Sequence, residues 1–151
     1  MTTSNPGSKS RSADTDARAF EGGCLCRSTR FRVSGEIANR CYCHCRSCQL
    51  ASGAPFVAWA TFPADRFEEI EGRLAWCHSS PSVTRGFCPA CGTTLTYRHE
   101  ARANELDVAI AALDDPSAVR PEFHLWVSHK LPWVELGDDL PRYDEWRTSG
   151  A

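Results

Sequence analysis

Within the eight residues Cys41-Tyr42-Cys43-His44-Cys45-Arg46-Ser47-Cys48 stand four of the chain's nine cysteines. Cys24-Leu25-Cys26 and Cys88-Pro89-Ala90-Cys91 add two close pairs and leave only Cys77 isolated. Thiols separated by one or two residues are what a tetrahedral zinc ion requires of a chain. The odd cysteine count also fits metal better than a closed disulfide framework. A chain of this kind is expected to fold around metal.

The 151 residues suit one domain. Residues 1–18 are rich in Ser, Thr, Asp and Arg and lack the apolar core of a secretory signal, so they read as a disordered tail. Without an export signal the chain is expected in the reducing cytoplasm, where close cysteine pairs bind metal rather than oxidise. A single zinc-binding domain is expected over residues 19–146, followed by a short tail over 147–151. The formal charge of −2 gives no electrostatic footprint for nucleic acid. No apolar run approaches the roughly 20 residues that span a bilayer. Expected partners are therefore small molecules or proteins.

Short alternating segments bounded by Gly and Pro predict a mainly β fold of several small antiparallel sheets. Ser28 to Val33 alternates polar with apolar, and Ser34-Gly35-Glu36 turns it toward an antiparallel partner over Ile37 to Cys43. Gln49 to Gly53 permits one or two helical turns closed by Gly53. Pro55 to Phe62 is rich in aromatic and β-branched residues and reads as a strand. Phe67 to Gly72 and Leu74 to His78 look like a further hairpin. Strands are also expected over Val83 to Phe87, Thr93 to His99, Glu105 to Leu113 and Phe123 to Ser128, before an irregular wrap from Leu131 to Tyr143.

Cys88-Pro89-Ala90-Cys91-Gly92 is a zinc knuckle, with Gly92 free to take the positive φ its exit needs. A knuckle supplies two ligands, and Cys24 and Cys26 can supply two more. A site closed by four cysteines has no coordination position for substrate and is structural.

The central cluster resembles a second four-cysteine site, but strand geometry divides it. Cys41 and Cys45 would lie about 13 Å apart on an extended strand, whereas tetrahedral zinc holds its sulfurs about 4 Å apart. Cys43 and Cys45, about 7 Å apart on one face, can converge. A turn through Arg46-Ser47 then brings in Cys48. Cys41 is left spare, and His44, between two inward positions, points away. Three protein ligands with a fourth position for substrate form the pattern of a catalytic zinc. Three thiolates leave zinc at about −1, a poor generator of hydroxide but a good acceptor of one more soft ligand. An incoming thiol would lose its proton there and remain nucleophilic.

Three segments together resemble the glutathione-dependent formaldehyde-activating enzyme family, which includes centromere protein V. They are Gly22-Gly23-Cys24-Leu25-Cys26, Cys43-His44-Cys45-Arg46-Ser47-Cys48 with Ser52-Gly53, and Arg85-Gly86-Phe87-Cys88-Pro89-Ala90-Cys91-Gly92-Thr93. His124-Leu125-Trp126-Val127 and Leu131-Pro132-Trp133 match its C-terminal pattern. The resemblance implies a zinc-containing, mainly β fold of coiled sheets, that of the zinc protein called mammalian suppressor of Sec-four. It implies a structural zinc on Cys24, Cys26, Cys88 and Cys91, and a labile zinc on Cys43, Cys45 and Cys48 near a glutathione site. It further implies a carbon–sulfur lyase that joins glutathione to formaldehyde as S-hydroxymethylglutathione.

An anionic thiol such as glutathione would want a cation beside the catalytic cysteines Cys43, Cys45 and Cys48, and Arg46 sits inside the motif. Arg85, Arg98 and Lys130 are expected on the solvated surface instead. Trp59, Trp76, Trp126 and Trp133 can wall a pocket, although core packing is the ordinary role of most. His99, His124 and His129 are possible proton carriers with an ordinary packing or surface role as the default. The competing class of function is a zinc-stapled binding module for a protein partner.

Overall fold

A computed structural model describes residues 18–147. The greater part of the tail expected over residues 1–18, and residues 148–151, lie outside the described residues. Among the described residues ten strands form two sheets, with one α-helix beside them. The smaller has the order β1 (Phe20–Gly23), β2 (Arg30–Val33), β5 (Phe67–Glu71). The larger contains β3 (Asn39–Cys43), β4 (Val57–Pro63), β6 (Ala75–Ser80), β7 (Val83–Phe87), β8 (Thr94–His99), β9 (Glu105–Ala109) and β10 (Phe123–Leu125). Its order is β10-β3-β4-β9-β8-β7-β6, antiparallel except for the parallel pair β10 and β3. The mainly β expectation holds.

β2 behaves as its alternation predicts, with Phe31 and Val33 fully buried and Arg30 and Arg32 turned outward. The partner expected for it was wrong: β2 pairs with β1 and β5, while β3 joins the large sheet. Two physical differences separate β2 from β3. The outward Arg32 finds Glu21 on β1 and Glu68 on β5 as cross-strand counter-charges. β3 instead carries apolar or aromatic side chains on both faces, which only a strand covered on both sides can bury.

The hairpin expected from Phe67 to His78 also fails. β5 pairs with β2 and β6 pairs with β7. Gly72, at φ 62°, turns the chain out of the small sheet, and Leu74 is buried in the core on the way to the large one. The strand expected from Glu105 to Leu113 ends at Ala109, where a 3-10 turn over Ile110–Ala112 follows.

The small sheet covers one face of the large one. Phe20, Phe31 and Val33 pack there with Ala60, Phe62, Leu106 and Val108, and the rings of Phe20 and Phe62 meet edge to face at 5.8 Å. The opposite face holds a second cluster, in which Cys41, Cys43 and Cys48 pack with Trp59, Ala109, Phe123 and Leu125. Across this face the register aligns Arg85 with Tyr97, Tyr97 with Asp107, and Asp107 with Thr61. A row of polar side chains therefore crosses the sheet and ends opposite Asn39 of β3.

The C-terminal wrap runs along the β10 edge of the large sheet, and its Tyr143 packs against this second cluster. His124 N–H donates to the Pro141 carbonyl and Tyr143 N–H to the His124 carbonyl, so residues 141–143 run along β10. Among the described residues no helix is long and apolar enough to cross a membrane.

Candidate metal centre and adjoining cavities

The first cluster joins residues distant in sequence. Cys24, Cys26, Cys88 and Cys91 bring their sulfurs within 4.8 Å of one another. The Cys24–Cys26 and Cys26–Cys88 sulfur separations are 3.5 and 3.8 Å, close to the roughly 3.8 Å edge of a zinc–sulfur tetrahedron. Gly92 takes the positive φ expected of it, 75°, and its N–H returns to the Cys88 carbonyl at 2.9 Å. The Thr29 amide donates to Cys24 Sγ at 3.3 Å, and Ser28 Oγ lies 3.4 Å from Cys88 Sγ. Such donors favour thiolates: the Ser28 and Thr29 contacts hold Cys88 down at about 5, and Thr93 holds Cys91 at about 7. The donor set fits zinc.

The second cluster is assembled by the end of β3 and the start of α1 (Arg46–Ser52). Cys43, Cys45 and Cys48 bring their sulfurs within 4.8 Å of one another. Cys45 is the N-cap of α1, its sulfur accepting from the Cys48 amide at 3.4 Å. That cap starts the helix before Gln49, where propensity alone places it. The helix closes on Gly53, left-handed at φ 65°. Gln49 is buried and donates to the carbonyls of His44 (2.7 Å) and His129 (3.0 Å), pinning the corner to the C-terminal loop.

Alternation along β3 separates the neighbours as expected. Cys41 and Cys43 face the second core cluster. Tyr42 and His44 turn to the other side, where Tyr42 stacks on His124 and His44 Nε2 lies 2.9 Å from His124 Nδ1. His124 continues to Asp138 at 3.1 Å, so both imidazoles sit in a buried chain remote from the thiols' face. Cys41 stays outside the three-sulfur set but lines the cavity beside it, where burial pushes its thiol up to about 12. Cys77 is exposed.

Arg85 overturns its expected place on the surface. It is 4% exposed, with Nη2 3.7 Å from Cys48 Sγ, Nε 3.1 Å from Ser79 Oγ, and the guanidinium 4.9 Å above the Tyr97 ring. The cause is its inward register on β7 opposite Tyr97, a long-range pairing that no local pattern reveals. The Cys43 and Cys45 thiols and the Arg85 charge hold Cys48 well below the usual thiol range. Hydrogen bonding to Cys45 and Cys48 pushes Cys43 upward. Three soft donors beside a fixed cation suit a thiophilic metal such as zinc.

Two hollows meet at this cluster. A cavity of about 40 Å³ is lined by the three cysteines, Cys41, Trp59 and Leu125, with Asp107 as its one acidic wall. Burial raises the Asp107 pKa against the pull of Arg102. A groove of about 210 Å³ is bounded by Cys45, Arg46, Ser79, Arg85 and His129. No Asp or Glu is among its described lining residues. Tyr97, Trp126 and Trp146 wall both hollows.

Of the tryptophans expected to wall a pocket, Trp59 and Trp126 do so, whereas Trp76 and Trp133 are exposed at 45% and 70%. Trp126 stands at φ 58°, a left-handed conformation that strains a bulky residue and ends β10 short of Ser128. Backbone bonds from Trp126 to Glu145 and from Val127 to Tyr143 hold it there. Arg46 is exposed and donates to Gln49 at 3.2 Å. Arg98 donates to the Ala103 carbonyl and Lys130 to that of Val134, so both serve the backbone. His99 caps a 3-10 turn, while the exposed His129 borders the groove. Asp107, Tyr97 and Trp146 were not singled out in the sequence. The alternation of Leu106, Asp107 and Val108 within an apolar strand was the available signal for Asp107.

A family model described as glutathione-dependent formaldehyde-activating enzyme matches residues 19–129. An uncharacterized lyase of Schizosaccharomyces pombe is 33% identical over 82 residues, which cover 53% of this chain and 58% of the relative. The match thus spans little more than half of that curated relative's length. A crystal structure of a Rhodobacter sphaeroides protein superposes with a TM-score of 0.53 at 22% identity, covering 65% of this chain and 93% of that one. That likeness establishes the shared fold.

Proposed function

Since this chain belongs to the glutathione-dependent formaldehyde-activating enzyme family, we propose that it is a zinc-dependent carbon–sulfur lyase that adds glutathione or a similar thiol to formaldehyde or another small carbonyl compound. One observation carries the reading: the Cys43, Cys45 and Cys48 sulfurs lie where a basic groove meets a small, largely apolar cavity. The groove suits the body of an anionic thiol. The cavity's 40 Å³ has room for a compound of only a few heavy atoms, since one water needs about 10–15 Å³ on the same measure.

Cys43, Cys45 and Cys48 would hold a zinc ion, which when bound would supply the Lewis acidity that keeps a neighbouring thiol ionised and nucleophilic. A second zinc on Cys24, Cys26, Cys88 and Cys91 would be structural. In the addition, the sulfur forms a bond to the carbonyl carbon, the carbonyl π pair moves to oxygen, and the thiol proton ends on that oxygen. Nothing is oxidised or reduced. Trp59, Trp126 and Leu125 exclude water from the small cavity and favour the free carbonyl over its hydrate. Arg46 and Arg85 supply positive potential to the groove.

The test follows carbon-13 formaldehyde and glutathione by NMR exchange spectroscopy. Zinc-loaded protein is expected to accelerate interconversion with the hydroxymethyl thioether, and Cys48→Ser to return it to the protein-free rate. Equal acceleration by wild type and Cys48→Ser would refute the assignment.

A further inference from the structure

Arg85 is a buried cation whose hydrogen bonds are incomplete. Nε is satisfied by Ser79 and Nη2 by the Cys48 sulfur, whereas Nη1 is buried and has no partner among the described residues. An unpaired buried donor on a charged group is costly, so a position of this kind calls for an acceptor. Stacking on Tyr97 fixes the guanidinium plane, and the Ser79 and Cys48 contacts fix its rotation. The fork is thus oriented before any ligand arrives. It borders the groove with Arg46 and His129, where no described acidic side chain competes for it.

We propose that Arg85 is the anchor for a carboxylate of the thiol substrate, receiving it on Nη1 while Nη2 keeps its contact with Cys48. One side chain would then hold both ends of the ligand site, with the sulfurs on one side and the carboxylate on the other. The inference rests on the thiol reading of the three-cysteine site and adds a selection rule: carboxylated thiols are preferred over neutral ones of similar shape. A carboxylate on a fixed guanidinium makes charge-assisted bonds that its ester cannot make.

Isothermal titration calorimetry of the zinc-loaded protein with reduced glutathione and with its dimethyl ester tests this. Wild type is expected to bind glutathione at least about 10-fold more tightly than the diester. Arg85→Gln, with zinc content and near-ultraviolet circular dichroism unchanged, is expected to cut that preference below about 3-fold while changing diester affinity by less than about 3-fold. Arg85→Lys, which keeps the charge but not the fork, is read in the same way should the glutamine variant not fold; it is expected to retain only part of the preference. Equal binding of both ligands by wild type would overturn the anchor and leave the thiol reading intact. Equal weakening of both ligands by Arg85→Gln would also overturn it, because Arg85 would then act only through Cys48. Binding of neither ligand by wild type would overturn the thiol reading and the anchor with it.

Discussion

Removing the knuckle with Cys88→Ser and Cys91→Ser together is expected to destabilise the zinc-loaded protein about twice as much as Cys45→Ser with Cys48→Ser. Cys26 and Cys88 stand 62 positions apart, so the first cluster closes a long loop. By the relation used for disulfide loops, losing such a tie releases about 4 kcal/mol of chain entropy to the unfolded state. Cys43 and Cys48 are five positions apart, and the same relation gives about 2 kcal/mol. The first figure is a large part of the roughly 5–15 kcal/mol that hold a domain folded. At about 2–4 °C per kcal/mol for a chain of this size, the losses become about 8–16 °C and 4–8 °C in Tm. Serine limits side effects at the second site, since its hydroxyl still accepts from Arg85. Thermal unfolding followed by circular dichroism, with zinc per chain measured on each sample, makes the comparison. Equal Tm losses, or a larger loss at the second site, would refute a structural role confined to the first cluster.

Gly86→Ala is expected to cost about 1–3 kcal/mol, because a Cβ there would strike Thr96 Oγ1 and come within 2.7 Å of Leu74 Cδ2; an unchanged denaturant midpoint would contradict the packing of β7 on β8. Arg30 grips Asp114 with its two terminal guanidinium nitrogens and so holds that carboxyl below its ordinary pKa. Asp114 is 52% exposed, so Arg30→Ala is expected to cost under about 1 kcal/mol at pH 7. The depressed pKa fixes the sign: the contribution is present above the unfolded value of about 3.9 and is lost as pH falls through the folded value. Stability curves for wild type and Arg30→Ala should therefore converge in acid, and a gap that widened there would contradict the pairing.

The three-cysteine cluster was legible because its ligands are close in sequence and zinc geometry is strict, whereas spacing showed the pairs Cys24/Cys26 and Cys88/Cys91 but only the family resemblance joined them across 62 positions. Strand spacing separated Cys41 from Cys43, Cys45 and Cys48, and the same alternation turned His44 toward His124. Gly53 and Gly92 announced their turns by residue type. What lay hidden was set by distant partners. Arg32 finds Glu21 and Glu68 only after β1, β2 and β5 meet, so nothing local in Ile37 to Cys43 says that it belongs to another sheet. Arg85 looks like any surface arginine until β7 sets it opposite Tyr97, 37 positions from the Cys48 sulfur it touches. The strain at Trp126 comes from backbone bonds to Tyr143 and Glu145, and it brings a ring between two hollows that no local pattern foretells.

Cobalt(II) in place of zinc turns the number of thiolates around the metal into an absorption intensity. With cobalt at Cys43, Cys45 and Cys48 and zinc kept at the other cluster, added glutathione is expected to raise the thiolate-to-cobalt charge-transfer band by about one-third, from three sulfurs to four. S-methylglutathione, with its sulfur blocked, should leave the band unchanged. Accelerated adduct formation without any change in that band would contradict thiol capture at the three-cysteine site.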